Sequence, residues 1–307
     1  NLYAKWTDSV RHQNRCERGP SHRHTTKRHE MSVEKETITT KIWFEEEEPD
    51  NPFAAKTSYC SGYDVYGELL GKISWSEYIY LLFKLEKPQP WQSKLLEAIA
   101  IAIANPGPRD LSVRGAMNGG VGGSTAASCL MAALAPGAGK NGGAREVYQV
   151  MRLWQQCEFD LPLWQQNLSN YQDEEDVEVW PASEHPPGFD PYGASCATPI
   201  LQTLNHLTTI CSDGALAYLS NNRKEFEQAA DCPLGMTGVI GAAFTDLNFT
   251  DEQAEMLYLL LRLPGAAVHS LEQKKLGWRK YPFFGNSLQV TNDPGSFKQK
   301  SKLQETS

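Results

Sequence analysis

Apolar residues recur at helical spacing through most of the chain after residue 74. The segment Ser74–Glu77 has the pattern of a capping box, in which the serine hydroxyl accepts a first-turn amide and the glutamate bonds back to the serine amide. From Tyr78 onward, apolar side chains follow at i, i+3, i+4 and i+7, which predicts one buried face of a helix. Thr250–Gln253 is a second capping box and precedes a second such stripe. This repeated pattern predicts an all-α fold.

The other segments predict one strand, two loops and further helices. The one β-like run is at residues 37–44, and the acidic segment 45–52 after it is expected to be a solvated loop. Pro264-Gly265 is expected to end the helix that starts after Thr250. A polar, proline-rich segment at 170–195 has the composition of a long loop that carries functional residues. Helices are predicted over 75–85, 91–104, 119–135, around 147–154, and over 195–211, 213–229, 234–246, 251–263 and 266–275.

Composition narrows the class of protein. Hydrophobic residues make up 40% and charged residues 21% of the 307 residues, as in soluble globular proteins. No apolar run reaches the length of a membrane span, and no secretory signal sequence opens the chain. The seven cysteines are an odd number and include no Cys-x-x-Cys pair. This pattern argues against a disulfide framework or a zinc site and indicates the reducing cytoplasm.

Residues 1–30 differ from the rest of the chain. They lack apolar periodicity, contain four of the seven histidines, and carry seven Lys or Arg against three Asp or Glu, a net charge of +4. A metal-binding tract or a nucleic-acid arm has such a composition, but we favour a disordered or non-native extension before a natural start at Met31. Since the total charge is −8, the remainder carries −12 and is expected to bind nucleic acid poorly.

The segment Gly137–Val147 places four glycines just before a predicted helix. Its Gly-x-Gly-x-x-Gly spacing does not indicate a dinucleotide site, because the segment before it lacks the β-branched residues of a strand. Lys140 is followed by Asn141 rather than by Ser or Thr, which argues against a phosphate loop. Two interpretations remain. The glycines form a plain helix–helix connection, or they bring bare backbone amides close to an anionic ligand.

Several segments, in order along the chain, carry a resemblance to one family. The sequence GKNGGAREV at 139–147 resembles the His-Gly-Gly-Ala segment of the citrate synthase and citryl-CoA lyase family. Residues 61–90 are similar to the family's Gly-Tyr-Asp helix pair, and residues 182–195 to its Gly-His-Pro…Asp-Pro-Arg loop. The stretches 238–249 and 259–273 resemble the helix after the catalytic aspartate and the Arg-x-x-Gly…His helix pair.

The resemblance implies an all-α, citrate synthase-like fold with two domains. A large domain would comprise residues 31–140 and 238–307, and a small domain, 141–237, would be inserted between them. The site would lie in the cleft between the two domains. The family's chemistry is a Claisen-type reaction of a CoA thioester with a keto acid, or its reverse. An aspartate removes the α-proton, one histidine stabilises the enol, a second polarises the keto carbonyl, and arginines bind carboxylates.

The resemblance assigns three candidate catalytic residues. His185 matches the histidine that polarises the keto acid carbonyl. Asn141 replaces the enol-stabilising histidine, and its amide can donate a hydrogen bond but does not titrate near neutral pH. Thr237 stands where the aspartate base is expected, and a threonine hydroxyl is no base at pH 7. An active enzyme would therefore require another base, such as a water held by Thr237. Pro106 and Tyr192 replace another site histidine and the arginine of Asp-Pro-Arg.

Three arginines are candidates for binding substrate. Arg262 matches a carboxylate-binding arginine of the family, with pairing to an acid such as Glu255 as the alternative. Arg279 is a weaker match to a second family arginine. Arg145, directly after Asn-Gly-Gly-Ala, is suited to a carboxylate or a phosphate, with a solvated surface side chain as its alternative.

Two classes of function remain open. The first is an enzyme acting on a CoA thioester and a keto acid, by condensation or by citryl-CoA lyase-type cleavage, with no metal and no tightly bound cofactor. The second is a catalytically degenerate protein that binds CoA or a di- or tricarboxylate, or that acts as a structural partner in an assembly. The resemblance also implies a homodimer formed through helices of the large domain.

Overall fold

The computed structural model describes residues 39–172 and 185–281, and from Lys41 onward these belong to one compact unit. Helices account for most of the described residues, which confirms the predicted all-α class. The α-helices of this part of the chain are α1 (Trp75–Lys84), α2 (Pro90–Ile103), α3 (Leu111–Val121), α4 (Ala126–Gly137), α5 (Ala144–Cys157), α6 (Leu161–Ser169), α7 (Thr198–Ile210), α8 (Ala215–Asn221), α9 (Arg223–Ala230), α10 (Met236–Asp246) and α11 (Asp251–Leu276).

The predicted strand is wrong in position. Residues 39–43 are not in a strand, and residues 37 and 38 lie outside the described part of the chain. The strands form one antiparallel sheet in the order β1 (Phe44–Glu48), β2 (Asn51–Cys60) and β3 (Tyr63–Asp64). The acidic segment expected to be a loop therefore pairs as a strand, because β1 is solvent-exposed and leaves its carboxylates hydrated. Phe44 and Tyr59 pair across the ladder with ring centroids 5.9 Å apart.

Both predicted capping boxes are present. At the start of α1, Ser74 Oγ accepts from the Glu77 amide at 3.2 Å, and Glu77 Oε2 accepts from the Ser74 amide at 2.7 Å. Thr250 and Gln253 make the same reciprocal pair at the start of α11, at 3.1 and 3.0 Å. Such caps satisfy amides that have no partner within the helix and stabilise it by about 1 kcal/mol each. Hydrogen bonds between close sequence neighbours therefore define these helix starts.

Pro264 does not end the last long helix, contrary to the prediction. α11 continues to Leu276 with the proline inside it. A proline disturbs the helical hydrogen bonds around it, but the N–H of Gly265 donates to the Ala104 carbonyl after α2, 2.7 Å away. A Cβ at residue 265 would lie 2.5 Å from that oxygen, so the contact requires glycine. An acceptor from another part of the chain thus lets the helix pass the proline.

The Gly/Ala-rich segment 119–135, predicted as one helix, belongs to two helices, α3 and α4. The chain turns between them near Gly123, whose φ of +75° lies in the left-handed region. A Cβ at Gly115 of α3 would lie 2.3 Å from the Ala132 carbonyl oxygen of α4. The small residues therefore allow two helix backbones to approach closely. The prediction for 213–229 is divided in the same way, into α8 and α9.

The core is built around α5, α10 and α11. Val147 and Val150 of α5 and Phe244 of α10 are buried, and each such side chain contributes roughly 1.5–3 kcal/mol of burial free energy. A Cβ at Gly241 would lie 2.3 Å from Val150 Cγ1, so the absence of a side chain lets the valine pack against the α10 backbone. None of the helices in residues 39–172 and 185–281 is long and apolar enough to cross a bilayer.

Some predictions fall outside the described residues. These are the extension at 1–30, residues 173–184 of the polar segment 170–195, and the tail from 285. The described residues of that segment, 170–172 and 185–195, lie in no helix, as the loop prediction requires. The division into a large and an inserted small domain stays a prediction.

Candidate functional site

The glycine-rich segment before α5 is a tight turn whose own packing requires glycine. Gly142 has a φ of +71°, in the region that favours glycine. A Cβ at Gly143 would lie 2.3 Å from the Gly139 carbonyl oxygen and 2.8 Å from that of Gly137. Gly143 is the N-cap of α5, and Asn141 is exposed. The bare backbone is therefore needed by the turn itself, while the Asn141 amide lies at the surface.

Glu146, in the first turn of α5, joins this turn to two distant segments. Its Oε2 accepts a hydrogen bond from the Gly142 amide at 2.5 Å. Its Oε1 accepts from the Gly188 amide and from the Thr237 hydroxyl, both at 2.8 Å. These donors come from the glycine turn, from the loop that contains His185, and from α10. We call Glu146, Gly142, Gly188 and Thr237 the Glu146 centre.

The loop that contains His185 packs on α10 through glycine. Gly188 has a φ of +94°, and a Cβ there would lie 3.0 Å from the Cα of Gly238. In return, a Cβ at Gly238 would lie 2.5 Å from the Gly188 carbonyl oxygen. That oxygen also accepts from the Gly235 amide at 2.8 Å. The two backbones meet without side chains between them, which places the Gly188 amide within reach of Glu146.

Burial raises the pKa of the Glu146 carboxyl above its ordinary value. The residue is 2% exposed, and an ionised carboxylate loses favourable hydration in such a position. The hydrogen bonds from Gly188, Thr237 and Gly142, together with the nearby charge of His185, oppose the rise by stabilising the ionised form. Burial is the larger effect. The centre therefore holds a carboxyl group that keeps a proton more readily than an exposed one.

Arg262 connects the glycine turn to the start of α3. Its guanidinium donates to the Gly142 carbonyl at 2.9 Å and forms a buried ion pair with Asp110, which also caps α3. The Tyr258 ring lies against the guanidinium, with 4.8 Å between the ring centroid and Cζ. Burial raises the pKa of Tyr258 to about 12, so this phenol stays neutral at physiological pH. The Arg262 guanidinium is thus held by two protein groups, the Gly142 carbonyl and the Asp110 carboxylate.

The segments predicted to carry the chemistry meet at this place. Thr237 belongs to the Glu146 centre, Asn141 adjoins its glycine turn, and His185 lies three residues before its loop glycine. His185 is 8% exposed, and its Nδ1 lies 2.9 Å from the Pro186 carbonyl oxygen. Three segments far apart in the sequence therefore converge, while the catalytic role of each residue stays a prediction.

The three predicted arginines have different surroundings. Arg262 is 5% exposed beside the centre. Arg145 pairs with Glu255 at 3.3 Å, and both side chains are 26% exposed. The acid named as an alternative partner of Arg262 is thus the partner of Arg145. Arg279 is exposed in the short 3-10 helix Trp278–Lys280. Binding of a substrate carboxylate by any of the three stays a prediction.

Within the described residues, the Glu146 centre coincides with neither a group of metal ligands nor the cavity between α1, α2 and α7. Within 39–172 and 185–281, no group of three or more His, Cys, Asp or Glu side chains is placed to hold a metal ion. Across the same residues, every buried side-chain nitrogen and oxygen has a hydrogen-bond partner. A cavity of about 900 Å³ lies between α1, α2 and α7, away from the Glu146 centre. The Glu146 centre itself contains hydrogen-bonding groups and a carboxyl group that can accept a proton.

Glu146 and Asp110 are not among the residues predicted from the sequence. Glu146 lies one turn before Val150 on the buried face of α5, and a lone acid at that spacing is the signal that identifies it. Asp110 stands directly before a helix, as an N-cap does. Each acid has partners close in sequence, which are Gly142 for Glu146 and the amides of Ser112 and Val113 for Asp110. The other partners, Gly188 and Thr237 for Glu146 and Arg262 for Asp110, are remote in sequence, and local patterns carry no information about them.

Several solved structures resemble this one, among them a citryl-CoA lyase and two ATP citrate lyases. Citryl-CoA lyase from Hydrogenobacter thermophilus matches with a TM-score of 0.63 at 18% identity, covering 86% of this chain and 99% of that one. ATP citrate lyase from Methanothrix soehngenii, in complex with citrate and coenzyme A, matches with a TM-score of 0.61 at 15% identity. ATP citrate lyase from Methanosaeta concilii, in complex with (3S)-citryl-CoA, matches with a TM-score of 0.63 at 16% identity. These two alignments cover 95% and 97% of this chain.

The similarity to these three structures shows the fold of this chain. The chain spans nearly the whole citryl-CoA lyase, but only 48% and 45% of the two ATP citrate lyase chains. The sequence matches no family model and no curated protein. The citryl-CoA lyase-like helical fold expected from the resemblance is confirmed. A fold hosts more than one chemistry, so the function has to be argued from the site.

Proposed function

We propose that the protein acts on a CoA thioester and a keto acid, by Claisen-type condensation or by the reverse, citryl-CoA lyase-type cleavage. The observation that carries this proposal is the Glu146 centre, where the Asn141 turn, the His185 loop and Thr237 meet. The fold adds support, since two of its neighbours are complexes with citrate and coenzyme A or with (3S)-citryl-CoA. The CoA thioester is the substrate in this proposal, and no cofactor is tightly bound.

In this reaction, His185 and Asn141 stabilise oxygens on which negative charge develops. The His185 imidazole donates to the keto acid carbonyl, and the Asn141 amide donates to the thioester oxygen of the enolate. A donor held in place before the reaction contributes about 3 to 4 kcal/mol when it is aimed at the developing charge. The enolate carbon attacks the polarised carbonyl to form the C–C bond, and cleavage reverses this step.

Arginines supply the positive charge for the substrate carboxylates. Arg145 lies beside the glycine turn, and its partly exposed pair with Glu255 is worth less than about 1 kcal/mol, so a carboxylate ligand can displace it. Arg262 is shared with Asp110, and a substrate would compete with that carboxylate for the guanidinium. Arg279, after the end of α11, is the third candidate.

Release of free CoA tests the proposal. Acetyl-CoA or propionyl-CoA is incubated with oxaloacetate, thiol release is followed spectroscopically, and the reverse reaction is followed with citryl-CoA. We expect turnover that falls about a hundredfold in His185→Ala and in Asn141→Ala, because each loses an oxyanion donor. His206→Ala, a histidine change on α7, is the matched control and should keep full activity. Absence of CoA release and of adduct across the panel would contradict the proposal.

A binding protein without turnover is the second candidate. It is favoured by the threonine at position 237 and by the pairing of Arg262 with Asp110, since both alter groups that the family's reaction uses. In this case, CoA esters or di- and tricarboxylates bind the native state and raise its stability by about 2.7 kcal/mol at a hundredfold excess over Kd. Thermal unfolding with and without these ligands checks this. No shift with any of them would exclude the candidate.

We also propose a homodimer. Large apolar side chains are exposed on α4 and α11, including Met131 at 62% and Leu271 at 58%. A second copy covering these helices would remove that surface from water. Light scattering in solution should give twice the chain mass, and Met131→Glu should shift the equilibrium toward the monomer. A monomeric mass for the unmodified protein would contradict this.

A cytoplasmic location is proposed on the chemistry of the cysteines. The six cysteines in the described residues are all free thiols, and four of them are buried. Free thiols persist in a reducing compartment, where disulfides rarely form. Fractionation of cells producing the protein with a fluorescent tag checks the location.

A further inference from the structure

Thr237 and Glu146 form a buried hydroxyl–carboxylate pair to which the roles above give no part. Thr237 Oγ1 donates to Glu146 Oε1 at 2.8 Å, and the two residues are 4% and 2% exposed. They lie on different helices, α10 and α5, so the pair exists only in the folded protein. Because the hydroxyl proton is directed at the carboxylate, the hydroxyl oxygen presents its lone pairs elsewhere.

We propose that this pair is the base of the reaction: Thr237 takes the α-proton of the acyl group while its own hydroxyl proton passes to Glu146. The inference rests on the proposed function. The α C–H bond breaks, its electron pair becomes the enolate, and a new O–H bond forms at Thr237 Oγ1. The former hydroxyl proton bonds to Glu146 Oε1, so the charge of the carboxylate moves to the enolate. In the cleavage direction, the same protons return and the α-carbon is protonated.

A hydroxyl acts as a base only when a neighbouring group accepts its proton. Ser and Thr nucleophiles are activated in this way by an adjacent base, and Glu146 is placed to do the same for Thr237. The amides of Gly142 and Gly188 hold the two carboxylate oxygens, so the orientation of Glu146 does not depend on substrate. The acid missing at position 237 is thereby supplied from another helix.

Burial of Glu146 favours its protonated form, whereas its three hydrogen-bond donors and His185 favour the ionised form that accepts the proton. Burial raises the pKa of this carboxyl, so it keeps a transferred proton better than an exposed carboxylate does. The titratable groups with charges that act on it or respond to it are His185 and Tyr258. Beyond Tyr258, Arg262 and Asp110 neutralise each other. Proton transfer therefore converts a buried anion into a neutral group.

Four variants test this proton relay, in which the α-proton passes to Thr237 and the hydroxyl proton of Thr237 passes to Glu146. Exchange of the acetyl-CoA α-protons with D₂O is followed by NMR, in parallel with CoA release. Thr237→Val, which keeps the shape but loses the hydroxyl, should lose about a hundredfold or more in both rates. Thr237→Ser should stay within about tenfold of the unmodified protein, and Glu146→Gln should resemble Thr237→Val. Adding Thr237→Asp to Glu146→Gln returns a carboxylate and should raise the rates at least about tenfold over Glu146→Gln.

Thr245→Val is the matched control on the same helix. The Thr245 hydroxyl donates to the Gly241 carbonyl within α10 at 2.9 Å, outside the Glu146 centre, so activity should be unchanged. Thermal unfolding and the CoA-induced shift of every variant separate loss of structure from loss of chemistry. If Thr237→Val does not fold, the comparison of Glu146→Gln with the double variant decides.

The possible outcomes distinguish failure of the relay from failure of the proposed function. Equal rates for Thr237→Val and Thr237→Ser, or no gain from the added Thr237→Asp, overturn the relay while the proposed function stands. A complete lack of exchange and turnover in the unmodified protein overturns the proposed function, and the relay falls with it.

Discussion

Glu146 is a buried acid and Asp246 a partly buried one, and burial is the chief cause that raises the pKa of each, yet their hydrogen bonds differ in kind. Asp246, at the end of α10, accepts from the amide of Ala215 at 2.6 Å and from that of Leu216 at 2.9 Å. Both donors belong to the first turn of α8, so Asp246 caps one helix from another. Glu146 accepts from a turn, a loop and a helix, which are three separate segments.

The difference shows that burial of an acid does not by itself indicate a functional site. A cap such as Asp246 stabilises one helix start, whatever the protein does. Glu146 determines how the His185 loop, the Asn141 turn and Thr237 lie relative to one another. We therefore expect substitutions at Asp246 to affect helix stability, and substitutions at Glu146 to affect both stability and the arrangement of the site.

Glu146→Ala should have the largest effect on stability. It leaves the buried Gly188 amide and Thr237 hydroxyl without an acceptor, at about 1 to 3 kcal/mol each, and also the exposed Gly142 amide, so we expect a loss of about 4 kcal/mol in the free energy of unfolding. Asp246→Ala leaves the amides of Ala215 and Leu216, at the start of α8, without an acceptor. We expect a loss of about 2 kcal/mol in the free energy of unfolding. Urea unfolding followed by circular dichroism measures both. Equal losses would remove the distinction between the two acids.

Asp110→Ala tests how far the stability of the Glu146 centre extends. It leaves the guanidinium of Arg262, a 5% exposed side chain, without its carboxylate, and a loss of about 3 to 4 kcal/mol is expected. The control is Glu255→Ala, which removes the carboxylate from the partly exposed pair with Arg145 and should cost less than about 1 kcal/mol. Similar losses in the same urea titrations would mean that burial of the Arg262 pair has no special weight.

Gly214→Ala sharpens the description of the Asp246 cap. Gly214 has a φ of +100°, and a Cβ there would lie 2.3 Å from Asp246 Oδ1, so a loss of about 2 kcal/mol is expected. When Asp246→Ala is present the clash is absent, and the double variant should be about 1 kcal/mol more stable than the sum of the single losses. A double-mutant cycle by urea unfolding measures this coupling. Strict additivity would show that the two residues do not meet.

The smallest expected effect is a change in the pH dependence of stability. The unfolded chain releases the Glu146 proton near pH 4.5, while the folded protein, with its raised pKa, still holds it. The stability that this group contributes is therefore lost as the pH rises from about 4.5 through the raised pKa of the folded protein. Glu146→Gln should flatten the decline of Tm with pH, and Asp246→Asn should flatten it from about 3.8 upward. An unchanged slope in both variants would refute the raised pKa values.

The helices were predictable because their signals are local. The capping boxes at Ser74 and Thr250 are made by residues three positions apart, and both helix starts are where the sequence predicts them. The strand and the passage of α11 through Pro264 were not predictable in the same way. The first depends on solvent exposure of an acidic hairpin, and the second on an acceptor at Ala104.

The candidate site was predictable in its segments and not in its contacts. The order of motifs indicated Asn141, His185 and Thr237, and these segments do meet. The glycines before α5 were open to two interpretations, and their close backbone packing shows that the turn itself requires them. Glu146 went unnoticed because its neighbours in the sequence make it look like an ordinary first-turn helix acid.

The sequence by itself determined the helical class and the two capped helix starts after Ser74 and Thr250, since periodicity and capping are interactions among residues a few positions apart. Only the tertiary structure decided which remote groups Glu146 binds. Its bond with Gly188 spans 42 positions and its bond with Thr237 spans 91. Those bonds exist because glycines at 188 and 238 let two backbones come into contact. Such a contact depends on how the helices pack, and no local pattern in the sequence specifies that.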